Sequence, residues 1–138
     1  MADSKDYFDL TLVTPSGTRE EFNVRHIRAP GAEGYFGVLA DHLPFITTIK
    51  TGEIDIDTKD GKKFWATSGG FVEVLGSRVI ILAETAEPAE QIDLQRAEAS
   101  RERATLRLRE NPDGLDVMRC QLALTRAINR LRVASYID

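Results

Sequence analysis

Cysteine is almost absent from this chain of 138 residues, and Cys120 is the only example. A single thiol cannot form an internal disulfide or supply a cysteine-based metal site. Histidine is also scarce, and His26 and His42 lie far apart without the spacing of metal ligands. The composition therefore predicts neither a disulfide framework nor a metal centre.

Long hydrophobic runs are missing as well. A membrane-spanning helix needs about 20 consecutive apolar residues, and the chain has no such run. Its first residues, MADSKDYFD, lack the basic start and apolar centre of a signal peptide. We therefore expect a protein without a targeting segment that stays in the cytoplasm and does not insert directly into a membrane.

Residue combinations typical of catalysis are not recognisable. The sequence shows no nucleophile paired with a base, no paired carboxylates in a pocket-like setting, no metal cluster and no phosphate-binding G-x-x-x-x-G-K-S/T loop. The sequence therefore predicts that the protein is not an enzyme in its own right.

Lysine is missing after Lys63, and all nine basic residues of segment 87–138 are arginine. Residues 117–137 contain four arginines and no acid. A helix of this composition favours an anionic partner. Nucleic acid is not expected as a partner, because segment 1–86 carries 9 basic and 13 acidic side chains, a balance of -4, and the arginines lack interleaved aromatics.

Apolar and polar residues alternate through the first half, as they do in strands with one buried face. The predicted strands cover residues 7–13, 22–27, 36–39, 45–49, 53–57, 63–67, 71–75 and 78–83, separated by turn residues such as Asp60 with Gly61 and Gly76 with Ser77. Because no helix-length segment separates them, the pattern favours an antiparallel sandwich or barrel over a parallel sheet.

Segment 31–42, GAEGYFGVLADH, is less regular and leaves two interpretations open. It can be a loop that crosses from one sheet to the other, with Tyr35 and Phe36 in the core. Alternatively, it can be an exposed docking loop with His42 at its tip.

The apolar period changes within residues 81–97, from two to three or four, which indicates helices. Pro88 suits a first helical turn, the residues Asn-Pro-Asp-Gly at 111–114 end one helix, and Asp116 can cap the next. The predicted buried positions are Ile92, Leu94, Ala97, Ala104 and Leu108, followed by Val117, Cys120, Leu124, Ala127, Ile128 and Leu131. The pattern predicts a thinly packed two-helix antiparallel hairpin that opens more readily than the strand half.

The arginines follow their own period. Arg96, Arg103 and Arg107 are spaced by 7 and 4 residues, and so are Arg119, Arg126 and Arg130. Each trio lies within about 40° on its helix, roughly 120° from the apolar line. Either the stripes are solvated and paired with acids such as those of the first helix, or they bind an anion; the second helix has no acid for pairing.

Three segments resemble the epsilon subunit of bacterial F-type ATP synthases, the homologue of the mitochondrial delta subunit. GYFGVLADHLPFITTIKTGEI is similar to the family pattern G-x-x-G-I-L-P-x-H-x-P-L-x-T-x-L-x-x-G, and ATSGGFVEV is similar to G-G-F-x-E-V. RVIILAETAE followed by IDLQRAEAS resembles the family's junction between strands and helices. The resemblance covers the chain from its first strand to its last helix.

The resemblance implies a β-sandwich of about ten strands at residues 1–86, which binds the gamma subunit and the c-ring, and a regulatory hairpin at residues 87–138. The expected function is that of a non-catalytic central-stalk subunit in the rotor of a proton- or ion-translocating ATP synthase. It would couple rotation between the c-ring and gamma, at the cytoplasmic face of the bacterial plasma membrane. The extended hairpin would reach an acidic segment of the beta subunits and inhibit ATP hydrolysis. A purely structural stalk subunit is the alternative.

Some members of the family bind ATP on the folded hairpin through an (Ile/Leu)-Asp-x-x-Arg-Ala motif. Ile92, Asp93, Arg96 and Ala97 match its fixed positions. The residues that accompany the motif match Glu87, Arg103, Arg126 and Arg130, with Arg119 close by. The resemblance thus implies ATP as a regulatory ligand, with no cofactor required.

The docking loop departs from the family in two places. Ala40, Asp41 and His42 stand where the family has P-G-H, and Tyr35 replaces a usual acid. Glu33 and His42 remain, with Tyr35, the expected contacts to the c-ring or gamma.

Overall fold

The computed structural model describes residues 6–137. The chain forms two compact units, one ending at Pro88 and the other beginning at Ala89. This division lies two residues beyond the boundary expected from the sequence, because residues 86–88 add a short strand to the first unit.

The first unit contains seven strands: β1 Phe8–Val13, β2 Arg19–Gly31, β3 Gly34–Leu39, β4 Phe45–Thr58, β5 Gly61–Leu75, β6 Arg78–Ala83 and β7 Ala86–Pro88. The eight strands predicted from the alternation become six because β4 and β5 are each continuous through two of them. A short additional strand, β7, brings the count to seven, compared with the ten that the resemblance implies. β7 was not predicted; it pairs with β5 in the same register as β6 does.

The strands close into a ring. β1 pairs with both β2 and β6, and the order β6, β5, β4 and β2 completes the circuit, with β3 added beside β2. All of these pairs are antiparallel except β1 with β6. The predicted sandwich or barrel architecture is therefore confirmed, with one parallel pair that the sequence pattern did not indicate.

The alternation of buried residues changes phase within β5. Trp65 and Thr67 are buried in the first half, whereas Val72 and Val74 are buried in the second. Gly69 and Gly70 lie between them with φ of 126° and 147°, a region that favours glycine. At Gly70 a Cβ would also collide with the backbone carbonyl oxygen of Leu82. These glycines therefore let one strand serve both parts of the sandwich.

The core fills the inside of this ring. It consists mainly of β-branched and leucine side chains from alternate strand positions, among them Leu10, Leu12, Ile54, Ile56 and Ile81. All five are fully buried, and each such side chain contributes roughly 1.5 to 3 kcal/mol on burial. The strand unit thus has a core of its own.

Strands β2 and β3 form a tight hairpin. Gly31 pairs with Gly34, so that Ala32 and Glu33 form the tip. The expectation of a crossing loop over residues 31–42 is therefore wrong. The expected core position of Tyr35 is also wrong, because Tyr35 is 38% exposed. Phe36 is partly buried and packs against the core, as expected.

The second unit contains two helices, α1 Leu94–Glu110 and α2 Val117–Ala134. The side chains of Asp93 and Asp116 cap them by accepting hydrogen bonds from the amides of Arg96 and Arg119, at 3.0 and 3.1 Å. α1 ends at Asn111, whose φ of 45° lies in the left-handed region. A short 3₁₀ turn, Ala89–Gln91, precedes α1.

Small side chains dominate the buried face of each helix. Ala97 and Ala104 are the buried residues of α1, and Cys120 and Ala127 are buried on α2 together with Asn129, Val133 and Ala134. The predicted burial of Leu94, Val117 and Ile128 is wrong, since they are 56%, 42% and 48% exposed. Pro88 is also not helical; it ends β7. Because alanine buries little apolar area, the seam contributes little hydrophobic stabilisation.

Candidate functional site

Eight of the nine predicted nucleotide-binding residues belong to the helical unit. Ile92 and Ala97 are buried, and Asp93 precedes α1. Arg96 and Arg103 are exposed on α1, Arg119 and Arg126 are exposed on α2, and Arg130 is half-buried on α2. The ninth residue, Glu87, lies in β7 of the strand unit and is half-buried.

The motif Ile-Asp-x-x-Arg-Ala coincides with the start of α1, and three of its four fixed positions have structural roles there. Ile92 is 8% exposed, Ala97 is fully buried, and Asp93 is the N-cap. These roles recur at the start of α2, where half-buried Leu115 precedes the cap Asp116, Arg119 follows it, and Cys120 is buried. Of the four motif residues, Arg96 is therefore the one whose side chain has no role in forming the start of the helix.

The arginines of the hairpin are mostly without acidic partners. Within residues 6–137, Arg96, Arg107, Arg119 and Arg126 form no ion pair, and Arg103 donates a hydrogen bond to Ser100 Oγ at 3.1 Å. On α1 the ion pair is Arg101 with Glu98, outside the predicted stripe. Exposed guanidinium groups of this kind can bind phosphate oxygens or carboxylates bidentately.

The three predicted docking residues lie at different places in the strand unit. Glu33 is exposed at the tip of the β2–β3 hairpin, and Tyr35 follows in β3. His42 is exposed in the turn after β3, where its ring centroid lies 4.9 Å from that of Phe45. The structure therefore brings Glu33 and Tyr35 together on one hairpin and places His42 in a separate turn.

Tyr35 takes part in a polar cluster that sequence reasoning missed. Arg28 Cζ lies 3.9 Å from the centre of the Tyr35 ring, and Arg28 Nη1 lies 3.2 Å from Asp55 Oδ2 and 3.9 Å from Glu53 Oε2. The Tyr35 hydroxyl accepts a hydrogen bond from the Glu53 amide at 3.1 Å. Glu53 is 8% exposed. We call these four residues the carboxyl cluster.

The pKa of Asp55 is raised from 3.8 to about 6. Burial is the main cause, because it disfavours the ionised form. The neighbouring Glu53 carboxyl raises the pKa further through hydrogen bonding and charge repulsion, and Arg28 opposes these effects. The cluster therefore joins two carboxyl groups in close contact, a combination that the sequence pattern did not reveal.

An exposed apolar area also lies on the strand unit. Phe71 and Leu82 are cross-strand partners and are 52% and 49% exposed. Ile46, 67% exposed, and Leu75, 42% exposed, occupy outward positions on the adjoining β4 and on β5. We call these four residues the apolar surface. All four occupy strand positions where the alternation calls for polar residues. This signal in the sequence could have revealed the apolar surface.

Within residues 6–137, no group of three or more His, Cys, Asp and Glu side chains is arranged to hold a metal ion. Neither helix in the described part of the chain has the length and apolarity needed to cross a bilayer.

Comparison with known families gives matches along the chain. Residues 7–89 match the family described as ATP synthase, Delta/Epsilon chain, beta-sandwich domain. Residues 90–135 match ATP synthase, Delta/Epsilon chain, long alpha-helix domain.

Curated relatives agree with these families. The ATP synthase epsilon chain of Desulforamulus reducens is 42% identical over 127 residues, which cover 91% of this chain and 95% of the relative. That of Moorella thermoacetica is 43% identical over 130 residues, covering 94% and 97%.

Solved structures show the same fold. A chain of the Euglena gracilis mitochondrial ATP synthase, in an assembly of OSCP, F1 and c-ring, matches with a TM-score of 0.77 and 26% identity, covering 90% of this chain and 79% of that one. A chain from the central stalk and c-ring of the Tetrahymena thermophila enzyme has the same fold, with a TM-score of 0.55, 16% identity and 94% coverage of both chains.

Proposed function

We propose a specific role for this chain, which belongs to the delta/epsilon family of ATP synthase subunits: it is a non-catalytic subunit of the central stalk that rotates with the c-ring and gamma. The enzyme is an F-type ATP synthase, and the proposed location is the cytoplasmic face of the bacterial plasma membrane, without insertion. The similar structures support this role, because they belong to an assembly of OSCP, F1 and c-ring and to a central stalk with its c-ring.

The apolar surface is the observation that carries the proposal. Four large apolar side chains on neighbouring strands are 42% to 67% exposed. Glu73 lies among them, between Phe71 and Leu75 on β5 and opposite Ile46. Exposed apolar side chains grouped on one face of a sheet typically mark a binding surface for another protein. We assign it to gamma. The exposed tip of the β2–β3 hairpin, with Glu33, is polar, and we assign it to the c-ring.

The helical unit supplies the regulatory part of the proposal. Arg119 and Arg126 form no ion pair within the described residues, and α2 contains no acid that could neutralise them. An acidic segment of the beta subunits is therefore a suitable partner, with binding that weakens as salt is added. We propose that the hairpin inhibits ATP hydrolysis through this contact.

Deleting the helical unit tests the inhibitory role. We expect complexes assembled with a chain that ends at Pro88 to hydrolyse ATP faster than complexes with the full chain. The double variant Arg119→Ala/Arg126→Ala should give part of the same increase, and Arg109→Ala, an exposed arginine outside the two stripes, should give none. If the truncated complex retains the shortened chain and hydrolyses ATP no faster than the complex with the full chain, the inhibitory role is rejected. The purely structural stalk subunit then remains.

A second candidate function is ATP sensing by the hairpin. The guanidinium groups of Arg96, Arg103 and Arg126 are available in the helical unit for phosphate oxygens. Bound ATP would favour the folded hairpin over the form that reaches the beta subunits, because a ligand stabilises the state that binds it.

Thermal unfolding of the isolated chain, with and without ATP, measures this effect. At a hundredfold excess of ATP over the dissociation constant, the expected stabilisation is about 2.7 kcal/mol. Arg126→Ala and Arg96→Ala should remove most of it, and Arg109→Ala should retain it. The absence of any shift at millimolar ATP would reject the sensor while leaving the stalk role intact.

A further inference from the structure

The β2–β3 hairpin lies beside a bulge in β4. In the register between β2 and β4, Arg28 pairs with Asp55, and the next pair is Gly31 with Ile49. Five residues of β4 lie between these two pairs but only two residues of β2, so the ladder is interrupted there. In the described sheet, β3 pairs with β2 alone. The tip of the hairpin therefore needs side-chain contacts to fix its position.

Tyr35 supplies such a contact to the bulge. Arg28 Cζ lies 3.9 Å from the centre of its ring, and its hydroxyl accepts a hydrogen bond from the Glu53 amide, inside the bulge, at 3.1 Å. At Gly52 a Cβ would lie 2.8 Å from the same hydroxyl oxygen and 2.7 Å from Pro30 Cβ, so only a glycine leaves room for the phenol. The Tyr35 side chain therefore links β3 to β4.

Arg28 is itself anchored on β4. Its Nη1 atom lies 3.2 Å from Asp55 Oδ2 and 3.9 Å from Glu53 Oε2. A guanidinium that carboxylates already hold can stack on an aromatic face with little further loss of freedom. Tyr35 is 38% exposed, so most of its surface is covered within the strand unit. One connected set of side chains thus joins β2, β3 and β4.

Glu33 at the tip of the hairpin has no comparable support. Ala32 and Glu33 form the tip and are exposed. Within residues 6–137, the Glu33 carboxylate forms no ion pair and no hydrogen bond. Its position is set by the hairpin backbone, which Phe36 holds against the core from one face of β3 and Tyr35 holds against β4 from the other.

We propose that Tyr35 is a positioning residue for the contact between Glu33 and the c-ring: it holds the tip of the β2–β3 hairpin in place and does not touch the ring itself. This inference rests on the proposed assignment of the hairpin tip to the c-ring. It differs from the expectation drawn from the sequence, in which Tyr35 contacts the c-ring or gamma directly. Both the ring and the hydroxyl of Tyr35 are engaged within the strand unit, which favours the positioning role.

A double-mutant cycle between Tyr35 and Glu33 separates the two roles. The full chain is assembled with gamma, and the dissociation constant of this complex for purified c-ring in detergent is measured. Glu33→Ala should raise the dissociation constant about fivefold, as the loss of an exposed ionic contact does. Tyr35→Ala should raise it by a similar factor. The double variant should bind as Glu33→Ala does, because Tyr35 acts only through Glu33.

Tyr7→Ala is the matched control. Tyr7 also lies beneath a cation, with Lys59 Nζ 4.9 Å from the centre of its ring, but it is outside the β2–β3 hairpin. This variant should bind the c-ring as the wild type does. If circular dichroism shows that Tyr35→Ala is unfolded, Tyr35→Phe takes its place in the cycle, with an expected rise of about threefold from loss of the hydroxyl alone.

Amide hydrogen exchange of the full chain, followed by NMR, shows whether Tyr35 fixes the hairpin when no c-ring is present. In Tyr35→Phe the Glu53 amide loses the phenol oxygen as acceptor, so its protection should fall about fivefold, the effect of one ordinary hydrogen bond. The β3 amides should also lose protection, whereas the β6 amides should not. Tyr7→Ala should leave the protection of the hairpin unchanged.

Three results would overturn the positioning role. If Glu33→Ala binds the c-ring as the wild type does, the hairpin tip is not the c-ring contact, and the role of Tyr35 fails with that assignment. If Glu33→Ala weakens binding but the Tyr35 variant does not, or if the two losses multiply to about 25-fold, docking by Glu33 stands and Tyr35 does not act through it. Unchanged protection of the Glu53 amide in Tyr35→Phe would show that the phenol does not hold the hairpin.

Discussion

Binding of gamma through the apolar surface can be tested by truncating its two paired side chains. In Phe71→Ala/Leu82→Ala, both changes lie on the outward side of β5 and β6, where the residues are cross-strand partners. About half of each side chain is packed in the fold, so truncation should also destabilise the strand unit, by on the order of 3 kcal/mol in total at the same cost per area. Circular dichroism must therefore show that the variant is folded before its binding is measured.

The exposed fractions give the size of the loss. A phenylalanine presents about 200 Å², so the 52% exposure of Phe71 leaves about 100 Å² for a partner, or about 2.5 kcal/mol at 25 cal/mol per Å². The 49% exposure of Leu82 adds about 1 kcal/mol. Together these terms, about 3.5 kcal/mol, predict that the dissociation constant for gamma rises by a factor of roughly 300.

Titration calorimetry with purified gamma subunit measures this change directly. Leu106→Ala is the matched control, because Leu106 is also 49% exposed but lies on α1, outside the apolar surface. We expect the control to bind as the wild type does. A folded double variant whose dissociation constant differs from that of the control by less than about threefold would refute the assignment of this surface to gamma.

Four further predictions concern stability. Asp93→Ala and Asp116→Ala should each destabilise the helical unit by about 1 kcal/mol through loss of an N-cap, measured by urea unfolding of the helical signal; no change would show that the caps are dispensable. Ile54→Ala should destabilise the strand unit by about 2 to 5 kcal/mol in the same assay, because Ile54 is fully buried; a loss below 1 kcal/mol would contradict its core position. Gly70→Ala should lower the melting temperature more than Gly17→Ala, since a Cβ collides with the backbone at Gly70 and meets nothing at Gly17. The wild-type free energy of unfolding should fall by on the order of 1 kcal/mol from pH 5 to pH 7 relative to that of Asp55→Asn, because the folded-state pKa is raised; parallel pH profiles would contradict this.

The strand half was predictable wherever the alternation of apolar residues keeps one phase. Leu10, Leu12, Ile54 and Ile56 are buried as the alternation requires. The prediction divided β4 and β5 because the buried phase changes inside each strand, which is read naturally as a strand ending. Only the pairing of the strands shows that the backbone continues through Gly69 and Gly70.

The helix boundaries were predictable from capping residues. The residues buried between the helices were harder to predict. Asp116 and Asn111 act as the sequence indicated, at the start of α2 and the end of α1. The large residues Leu94 and Ile128 were expected in the seam but are exposed. Helical periodicity groups residues on a face without indicating how closely the partner approaches, and the buried residues are mostly small.

The polar contacts of the candidate sites could not be predicted because they join distant positions. Arg28 and Asp55 meet through the pairing of β2 with β4, and Tyr35 reaches them through the β2–β3 hairpin. In the sequence, Tyr35 looked only like a departure from the family pattern. The motif at residues 92–97 was found from the sequence, but its role at a helix start became visible only in the structure.

Cross-linking in the assembled enzyme shows which subunit contacts the apolar surface. A photoreactive amino acid replacing Phe71 should form a covalent product with gamma, and the same group replacing Leu106 provides the comparison for non-specific reaction. We expect the Phe71 product to contain gamma and its yield to fall when Leu82→Ala is added. A product formed only with other subunits, or no product from a chain that is retained in the complex, would contradict it.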